Sequence, residues 1–179
     1  METATKQRHS VLIGYGSSTG QAADCADIVA DSIAADGYKA VVRELNDIPR
    51  HEPFIRQFSL FVIIISSSDD TDDHVPFNAE VFCHWLQTRP DLAGVDVALF
   101  GLGDSSYTTF NAAGNLLEEL LLNAGCLFVC PVGVADDEEG SVFEQLEPWV
   151  ATLTRAVRII VPGSPPVIAQ LPGSTMDVA

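Results

Sequence analysis

Residues 11–22 read VLIGYGSSTGQA, an apolar run that turns into a stretch of glycines and hydroxyl side chains. An apolar run without alternating polar residues is typical of a strand that is buried on both faces of a parallel sheet. After the turn, apolar residues recur every three or four positions until Gly37, which is the pattern of a helix and its stop signal. We therefore predict a strand over residues 9–15, a tight turn, and a helix over residues 19–36.

The same alternation of strand and helix continues along the chain. The predicted strands that follow span residues 39–45, 59–65, 95–101 and 126–132, and the predicted helices span residues 77–88, 112–124 and 142–160. Residues 47–56 contain two prolines and are expected to form an irregular connection. Five strands alternating with helices indicate an α/β domain whose parallel sheet is covered on both faces. We expect this domain over residues 9–160, between a short tail (1–8) and a Pro- and Gly-rich linker or tail (161–179).

The composition is that of a folded and strongly acidic chain. Of the 179 residues, 47% are hydrophobic, and the formal net charge is −16. Between residues 57 and 154 there are 16 Asp and Glu residues against one basic residue, Arg89. This excess of negative charge argues against nucleic acid as a partner. No apolar run has the length of a membrane span and no secretory signal is visible, so we expect a soluble, cytoplasmic protein without membrane contact.

Cysteines and histidines form no chemical motif. The four cysteines lie in apolar surroundings without CxxC spacing, so we expect buried free thiols. The four histidines are scattered and lack the spacing of metal ligands. We therefore predict no metal site. Because no nucleophile is paired with a base, no side chain is nominated as catalytic.

Glycines, hydroxyls and acids concentrate in the segments that follow the predicted strands. These segments read GYGSSTG, SSSDDTDD, GLGDSSY and VADDEEG after the first, third, fourth and fifth strand. In an open parallel sheet, ligands bind outside the carboxyl ends of the strands, so we expect the functional site at this edge. We interpret the acid runs at 69–73 and 136–139 as solvated loops. A Mg²⁺ or Ca²⁺ site is disfavoured because DxDxDG spacing is absent.

The first of these segments has the composition of a phosphate site but not the sequence of the common ones. It has no lysine for a Walker A loop, and Thr19 stands where the dinucleotide fingerprint GxGxxG needs a glycine. Backbone N–H groups and the hydroxyls of Ser17, Ser18 and Thr19 could donate to a phosphate at a helix N-terminus, where the helix dipole favours negative charge. An ordinary helix cap explains the same residues, and both alternatives stay open.

The segment after the fourth strand, GLGDSSYTTFN, combines conformational freedom with an aromatic residue. Its glycines allow close approach of a ligand to the backbone, and Asp104 could cap the following helix. Tyr107 lies in a polar turn at the expected ligand edge, where its flat ring could face a planar ligand. We expect Phe110, in contrast, to lie in the core.

Three segments taken in order resemble the flavodoxin-like FMN-binding domain of the diflavin reductases. They are YGSSTGQAADCA at 15–26, FGLGDSSYTTFNAAG at 100–114 and VADDEEG…EPW at 134–149. The family includes NADPH–cytochrome P450 reductase, methionine synthase reductase and the reductase module of nitric oxide synthase. The match runs from about residue 11 to residue 149. It implies a flavodoxin-like, doubly wound, five-stranded parallel sheet of order 2-1-3-4-5 with FMN at its carboxyl edge.

This resemblance implies FMN contacts in four loops. Around the phosphate it places Ser17, Ser18, Thr19, Gly20 and Gln21. Along the ribityl chain and the ring edge it places Leu102, Gly103 and Asp104, with Tyr107 stacked on the isoalloxazine ring and Asn111 supporting that loop. Under the other face of the ring it places the loop of Ser66, Ser67 and Ser68, with Asp136 near the flavin.

The loop after the third strand departs from the family pattern. The family typically reads STxGxGDPP, whereas residues 66–76 here read SSSDDTDDHVP, without a glycine. In many relatives an aromatic side chain of this loop covers the second face of the ring, and Ser68 offers none. Asp adopts unusual backbone angles more readily than most residues but less readily than Gly. The chain therefore differs from the family where the flavin ring would lie.

The function implied by the resemblance is electron transfer. FMN would relay electrons from an FAD- and NADPH-binding module to a redox partner, and FAD and NADPH would bind only on a further module outside this chain. An acidic rim around the flavin implies a partner with a basic surface. We expect a monomeric domain of a soluble diflavin reductase. Two alternatives stay open: a free-standing flavodoxin-type carrier, and a flavin-free flavodoxin-like domain with a regulatory or interaction role.

Overall fold

The computed structural model describes residues 10–69, 71 and 73–161. The predicted N-terminal tail and the predicted linker beyond Val161 lie outside this part of the chain. Parallel strands and helices alternate through the described residues, as the sequence predicts. The helices lie on both faces of the sheet, which confirms the predicted fold class.

The strands form one parallel sheet whose order is the predicted one. They are β1 (Ser10–Gly16), β2 (Lys39–Glu44), β3 (Leu60–Ser66), β4 (Asp96–Gly103), β5 (Leu127–Phe128) and β6 (Gly133–Asp136). The order is β2-β1-β3-β4-β5, and β6 also pairs with β4. At the centre of the sheet, Ile63 of β3 lies between Gly14 of β1 and Leu99 of β4.

The helices are α1 (Gln21–Ala35), α2 (Glu52–Ile55), α3 (Phe77–Gln87), α4 (Ala112–Asn123) and α5 (Val142–Ile160). Helices α1 and α5 cover one face of the sheet, and α3 and α4 cover the other. Successive side chains of a strand point to opposite faces. Leu12 accordingly packs with α3 and α4, whereas Ile13 packs with α1 and α5. This burial on two sides explains why the strand sequences are continuously apolar.

Two local predictions were wrong. The predicted fifth strand over residues 126–132 is divided, and pairing with β4 resumes in β6, where a loop was expected. The division lies at Pro131, which has no backbone N–H to donate to the neighbouring strand. The connection over 47–56 is also more regular than expected. It contains α2, whose first turn carries a proline and whose Phe54 N–H is accepted by the His51 side chain at 3.2 Å.

All four cysteines lie within the described residues, where each is buried and outside any disulfide, as predicted. Burial raises the pKa of Cys25 to about 11, and it raises the pKa of Cys83 and of Cys126 to about 12. These thiols are therefore protonated near neutral pH and act as small apolar side chains. Among the described helices, none is at once long enough and apolar enough to cross a membrane.

The packing of β6 yields a test of the core. Gly133 lies against Phe100 and Trp149, whose ring centroids are 5.1 Å apart, and a Cβ atom at Gly133 would come within 2.5 Å of the Trp149 ring. Because aromatic rings in a core cannot yield easily, we expect Gly133→Ala to lower the free energy of unfolding by about 1–3 kcal/mol in urea denaturation. The neighbouring exposed Val134→Ala is the control, with a change of about 0.5 kcal/mol. Equal effects of the two substitutions would contradict this packing.

Candidate functional site

The carboxyl ends of β1, β3 and β4 open into a cleft of about 420 Å³. It lies where the strand order reverses between β1 and β3, which is the usual ligand position in such sheets. The lining residues are Ser18, Thr19, Gln21, Ser66, Ser67, Asp69, Leu102, Gly103, Asp104, Tyr107, Thr109 and Asp137. Most of the predicted contacts therefore lie together around one cleft. Ser17, Gly20, Ser68, Asn111 and Asp136 are the predicted contacts outside this lining.

The first loop, residues 17–20, serves as a helix cap and also borders the cleft. The Ser17 hydroxyl oxygen accepts hydrogen bonds from the backbone N–H of Gly20 at 2.9 Å and of Ala22 at 3.3 Å, so this side chain caps α1. Gly20 has a φ of 94°, which favours glycine at that position. Ser18 and Thr19 line the cleft beside the N-terminus of α1. Ser17 therefore acts as a helix cap, whereas Ser18 and Thr19 are the hydroxyl residues that border the cleft.

The second loop, residues 66–76, is bonded to both neighbouring loops. The Ser67 N–H donates to the Leu102 carbonyl at 3.0 Å, and the Ser67 hydroxyl oxygen accepts from the Ala113 N–H at 3.2 Å. Ser68 is buried, and its hydroxyl oxygen accepts from the Ser18 hydroxyl at 3.1 Å. Ser66 and Ser67 line the cleft, whereas Ser68 holds the loop in place beneath it.

The third loop, residues 104–110, presents Tyr107 to solvent at the cleft, with 56% of the residue exposed. The Asp104 carboxylate accepts from the Ser106 N–H at 2.8 Å and holds the turn before the tyrosine. The prediction that Phe110 lies in the core was wrong, because 36% of this residue is exposed. Its ring covers Gly103, where a Cβ atom would come within 2.9 Å of a ring carbon.

Asn111 lies beneath the third loop and not in the cleft. It is buried, has a φ of 52°, and its Nδ2 donates to Asn115 Oδ1 at 3.1 Å. Its side chain fills the space beside the Cα atoms of Gly101 and Gly114, where a Cβ atom would clash with it. The Asn111 Oδ1 atom has no hydrogen-bond partner among the described residues. The Asn111 side chain therefore packs between β4 and the start of α4.

Asp136 also acts from outside the cleft, while its neighbour Asp137 lines it. The Asp136 Oδ1 atom accepts from the backbone N–H of Ser105 at 2.9 Å and of Glu138 at 3.1 Å. Hydrogen bonds from the side chain and backbone of Ser105, with a smaller one from Glu138, lower the pKa of Asp136, against a partial desolvation. The carboxylate therefore links the third loop to the loop after β6.

The charges of the cleft are unusual for a phosphate site. Three carboxylates line it, those of Asp69, Asp104 and Asp137, and none of the described residues in its lining is Lys or Arg. No group of described His, Cys, Asp and Glu residues could hold a metal ion. The donors to an anion are neutral, namely hydroxyls and the N-terminus of α1. The cleft therefore combines neutral donors for an anion with an exposed aromatic ring, that of Tyr107.

The comparison with family models agrees with this geometry. A model described as flavodoxin matches residues 13–149. The chain belongs to the flavodoxin family. The matched residues contain β2 to β6, the last four residues of β1 and all four loops at the carboxyl edge of the sheet.

The chain is similar both to large NADPH-dependent reductases and to small flavodoxins. It is 34% identical over 147 residues to NADPH-dependent diflavin oxidoreductase 1 of Emericella nidulans and 30% identical over 158 residues to NADPH–cytochrome P450 reductase of Sus scrofa. These matches cover 79% and 83% of this chain but only 22% of each relative. The chain thus spans about a fifth of these relatives.

Solved flavodoxins match over nearly their whole length. A cysteine-to-serine variant of flavodoxin from Pseudomonas aeruginosa and flavodoxin 2 from Bacillus cereus each have a TM-score of 0.68 and 26% sequence identity to the chain. The matches cover 82% of this chain, and 97% and 98% of the two flavodoxins. The flavodoxin fold is therefore present without large additions among the matched residues.

Sequence reasoning missed three residues that line the cleft of this flavodoxin: Asp69, Thr109 and Asp137. The two acids belong to runs that we interpreted as solvated loops. Thr109 follows Tyr107 by two residues in the segment that carries the resemblance. All three lie in the segments that follow strands, and this was a usable signal because such segments meet at one edge of a parallel sheet.

The lowered pKa of Asp136 yields a test by pH. Because its folded-state pKa lies below the unfolded value, its stabilising contribution is complete above the unfolded pKa, about 3.9, and is lost as pH falls through the folded value. We expect Asp136→Asn to be less stable than the wild type at pH 7. This difference should shrink in thermal or urea unfolding as pH falls below about 4, first through the unfolded and then through the lower folded pKa of Asp136. Glu139→Gln, an exposed acid of the same segment, measures the effect of charge alone, and a difference for Asp136→Asn that is constant with pH would contradict the assignment.

Proposed function

We propose that the cleft binds FMN and that the chain is an electron-transfer domain. The observation that carries the proposal is the arrangement of one cleft: neutral donors and a helix N-terminus at one side and an exposed aromatic ring at the other. FMN has one phosphate monoester and one planar ring, which this arrangement matches. Family membership supports the same ligand.

The phosphate would lie at the N-terminus of α1. The Ser17 hydroxyl accepts from two backbone N–H groups of this turn, so the backbone of the loop is held in place before a ligand arrives. The Ser18 and Thr19 hydroxyls and the Gln21 side chain line this part of the cleft. A monoester is favoured over a triphosphate, because the latter would bring more negative charge toward the three carboxylates without a cation.

The ring would lie between Tyr107 and the loop of Ser66 and Ser67. Stacking on the tyrosine would exclude water from one face of the ring and bury an aromatic side chain that is otherwise exposed. Bound FMN supplies the redox chemistry, since it can take up and release electrons singly. The protein residues hold the ring, shield it and set the charge around it. No acidic or basic side chain needs to move a proton in this role.

The chain would serve as one module of an electron-transfer path. Its named relatives include a diflavin oxidoreductase and NADPH–cytochrome P450 reductase, and the chain matches about a fifth of each, 22%. We infer that it relays electrons from an FAD- and NADPH-binding module to a redox partner. A free-standing flavodoxin is the second candidate. It is favoured by the match to nearly complete flavodoxin chains.

The partner would have a basic surface. Glu138 and Glu139 are exposed directly after the cleft residue Asp137, and Asp69 and Asp104 line the cleft nearby. Charges of one sign around an open site attract an oppositely charged partner and raise the rate of productive encounter. Docking beside the cleft would bring the partner close to the ring, and electron transfer requires such proximity.

Flavin titration tests the ligand. We expect flavin-free protein to quench FMN fluorescence with a saturable curve and to bind riboflavin, which lacks the phosphate, at least about 10-fold more weakly. Tyr107→Leu should weaken FMN binding by about 10-fold or more, because stacking on an aromatic ring contributes about 1–3 kcal/mol. Phe77→Leu is the control, since Phe77 is exposed on α3 outside the cleft lining. Protein that takes up no FMN would contradict the proposal and favour a flavin-free domain.

Salt dependence tests the partner. We expect the rate of electron transfer from the reduced, FMN-loaded protein to a basic c-type cytochrome to fall steeply with ionic strength. Glu138→Gln/Glu139→Gln should flatten this dependence because it removes two charges beside the cleft. Asp27→Asn/Asp31→Asn removes the same charge from exposed positions on α1 and should leave the dependence nearly unchanged. Rates that are independent of salt, or equal effects of the two pairs, would contradict an acidic docking rim.

A further inference from the structure

In the loop that follows β3, His74 adopts a left-handed backbone conformation. His74 has a φ of 56°, one of three positive values at non-glycine residues within the described ranges. Such a conformation is unfavourable for a residue with a Cβ atom. Glycine would avoid this cost, but it would lack the contacts that the imidazole ring makes.

His74 contacts both backbone polar groups of Ser68, the N–H and the carbonyl. Its carbonyl oxygen accepts from the Ser68 N–H at 2.8 Å, and its Nδ1 atom lies 3.2 Å from the Ser68 carbonyl oxygen. Since a carbonyl oxygen can only accept, Nδ1 carries the hydrogen in this contact. The same Nδ1 atom lies 3.9 Å from Asp69 Oδ1. His74 therefore holds the backbone of Ser68 and also faces the carboxylate of Asp69.

Ser68 and Asp69 form hydrogen bonds with two different loops at the cleft. The Ser68 hydroxyl oxygen accepts from Ser18 of the first loop at 3.1 Å. The Asp69 carboxylate accepts from the Thr109 hydroxyl of the third loop at 3.0 Å, and both Asp69 and Thr109 line the cleft. The position of this dipeptide therefore sets how the three loops stand relative to one another.

We propose that His74 is a positioning residue of the site: it holds Ser68 and Asp69 so that they join the first and third loops before a ligand enters. The proposal rests on the proposed function in that the ligand is FMN. A loop that is ordered in advance avoids the loss of conformational entropy at binding, which otherwise weakens affinity. A glycine at this position would satisfy the backbone but leave the Ser68 carbonyl without the imidazole.

Substitutions at position 74 separate the backbone from the side chain. His74→Gly keeps the left-handed backbone and removes the imidazole, His74→Asn tolerates that backbone and keeps a short donor, and His74→Ala loses both. We expect the Kd for FMN to rise about 5- to 10-fold in His74→Gly and more in His74→Ala. His74→Asn should stay within about 3-fold of the wild type, as a partial rescue. His84→Asn, an exposed histidine at the end of α3, is the control and should leave the Kd unchanged.

Hydrogen exchange of the flavin-free protein tests the same proposal without a ligand. In His74→Gly, amide exchange should become faster in residues 66–69 and also in residues 104–110, because the third loop is reached through Asp69 and Thr109. Thr109→Val by itself should make amide exchange faster in residues 104–110. The double variant His74→Gly/Thr109→Val should show little further increase there. A merely local role of His74 would leave residues 104–110 unchanged, and that result would overturn the proposal.

The outcomes separate this proposal from the proposed function. Wild-type protein that binds no FMN, with the expected change in exchange, would contradict the ligand but support the role of His74. Wild-type protein that binds FMN, with His74→Gly equal to it in both Kd and exchange, would overturn the role of His74 alone. Tighter FMN binding by Thr109→Val would overturn it too, since the contact would then oppose the ligand.

Discussion

In the middle of the sheet, the side chains of Leu60–Ile65 are buried under helices on one face or the other. This burial on two sides is the constraint on which the rest of the structure depends. Strands β1, β3 and β4 offer side chains to a ligand mainly where they end, because the earlier positions are buried except for the half-buried Tyr15 and Asp96. The polar residues of the chain therefore act from the loops that follow these strands, and the cleft lies at their common edge.

Hydrogen bonds across the cleft turn separate loops into one site. Ser18 bonds to Ser68, Asp69 to Thr109, and Ser105 to Asp136, so each loop is joined to the next. These residues are far apart in the sequence, and each bond joins segments that follow different strands. The site is thus held by contacts between loops as well as by the sheet beneath them. Hydrogen bonds between the loops order the site before a ligand binds, which lowers the entropy that binding costs.

In the proposed function, the neutral donors of the first loop and the acidic groups around the cleft serve different needs. A phosphate needs donors, and the helix N-terminus with its hydroxyls supplies them without a formal positive charge. An electron-transfer surface needs an attraction for its partner, and exposed carboxylates supply that over a longer distance. Lysine in the first loop would serve the first need and weaken the second. The absence of lysine from GYGSSTGQA is therefore consistent with one acidic face around a neutral anion site.

Periodicity and turn residues in the sequence predicted the α/β class and most of the strands and helices, and the family resemblance predicted the strand order. They were insufficient where a residue's role depends on a partner distant in the chain. The break at Pro131, a local property, could have been predicted. Phe110 could not, because its exposure follows from how the third loop folds over Gly103. Ser17 and Asp136 lie next to residues that line the cleft, and their roles as helix cap and loop link depend on contacts formed in the folded chain.

The sequence by itself determined the layered α/β architecture and brought hydroxyls, glycines, acids and a tyrosine to one edge, because apolar periodicity and strand direction are encoded locally. Only the tertiary structure decided which of these side chains face the cleft and which hold the loops beneath it. His74 is the clearest case: nothing in its neighbours along the chain indicates a left-handed backbone or a contact with Ser68. Such roles arise from packing between loops, and the distances that define them exist only once the sheet has brought those loops together.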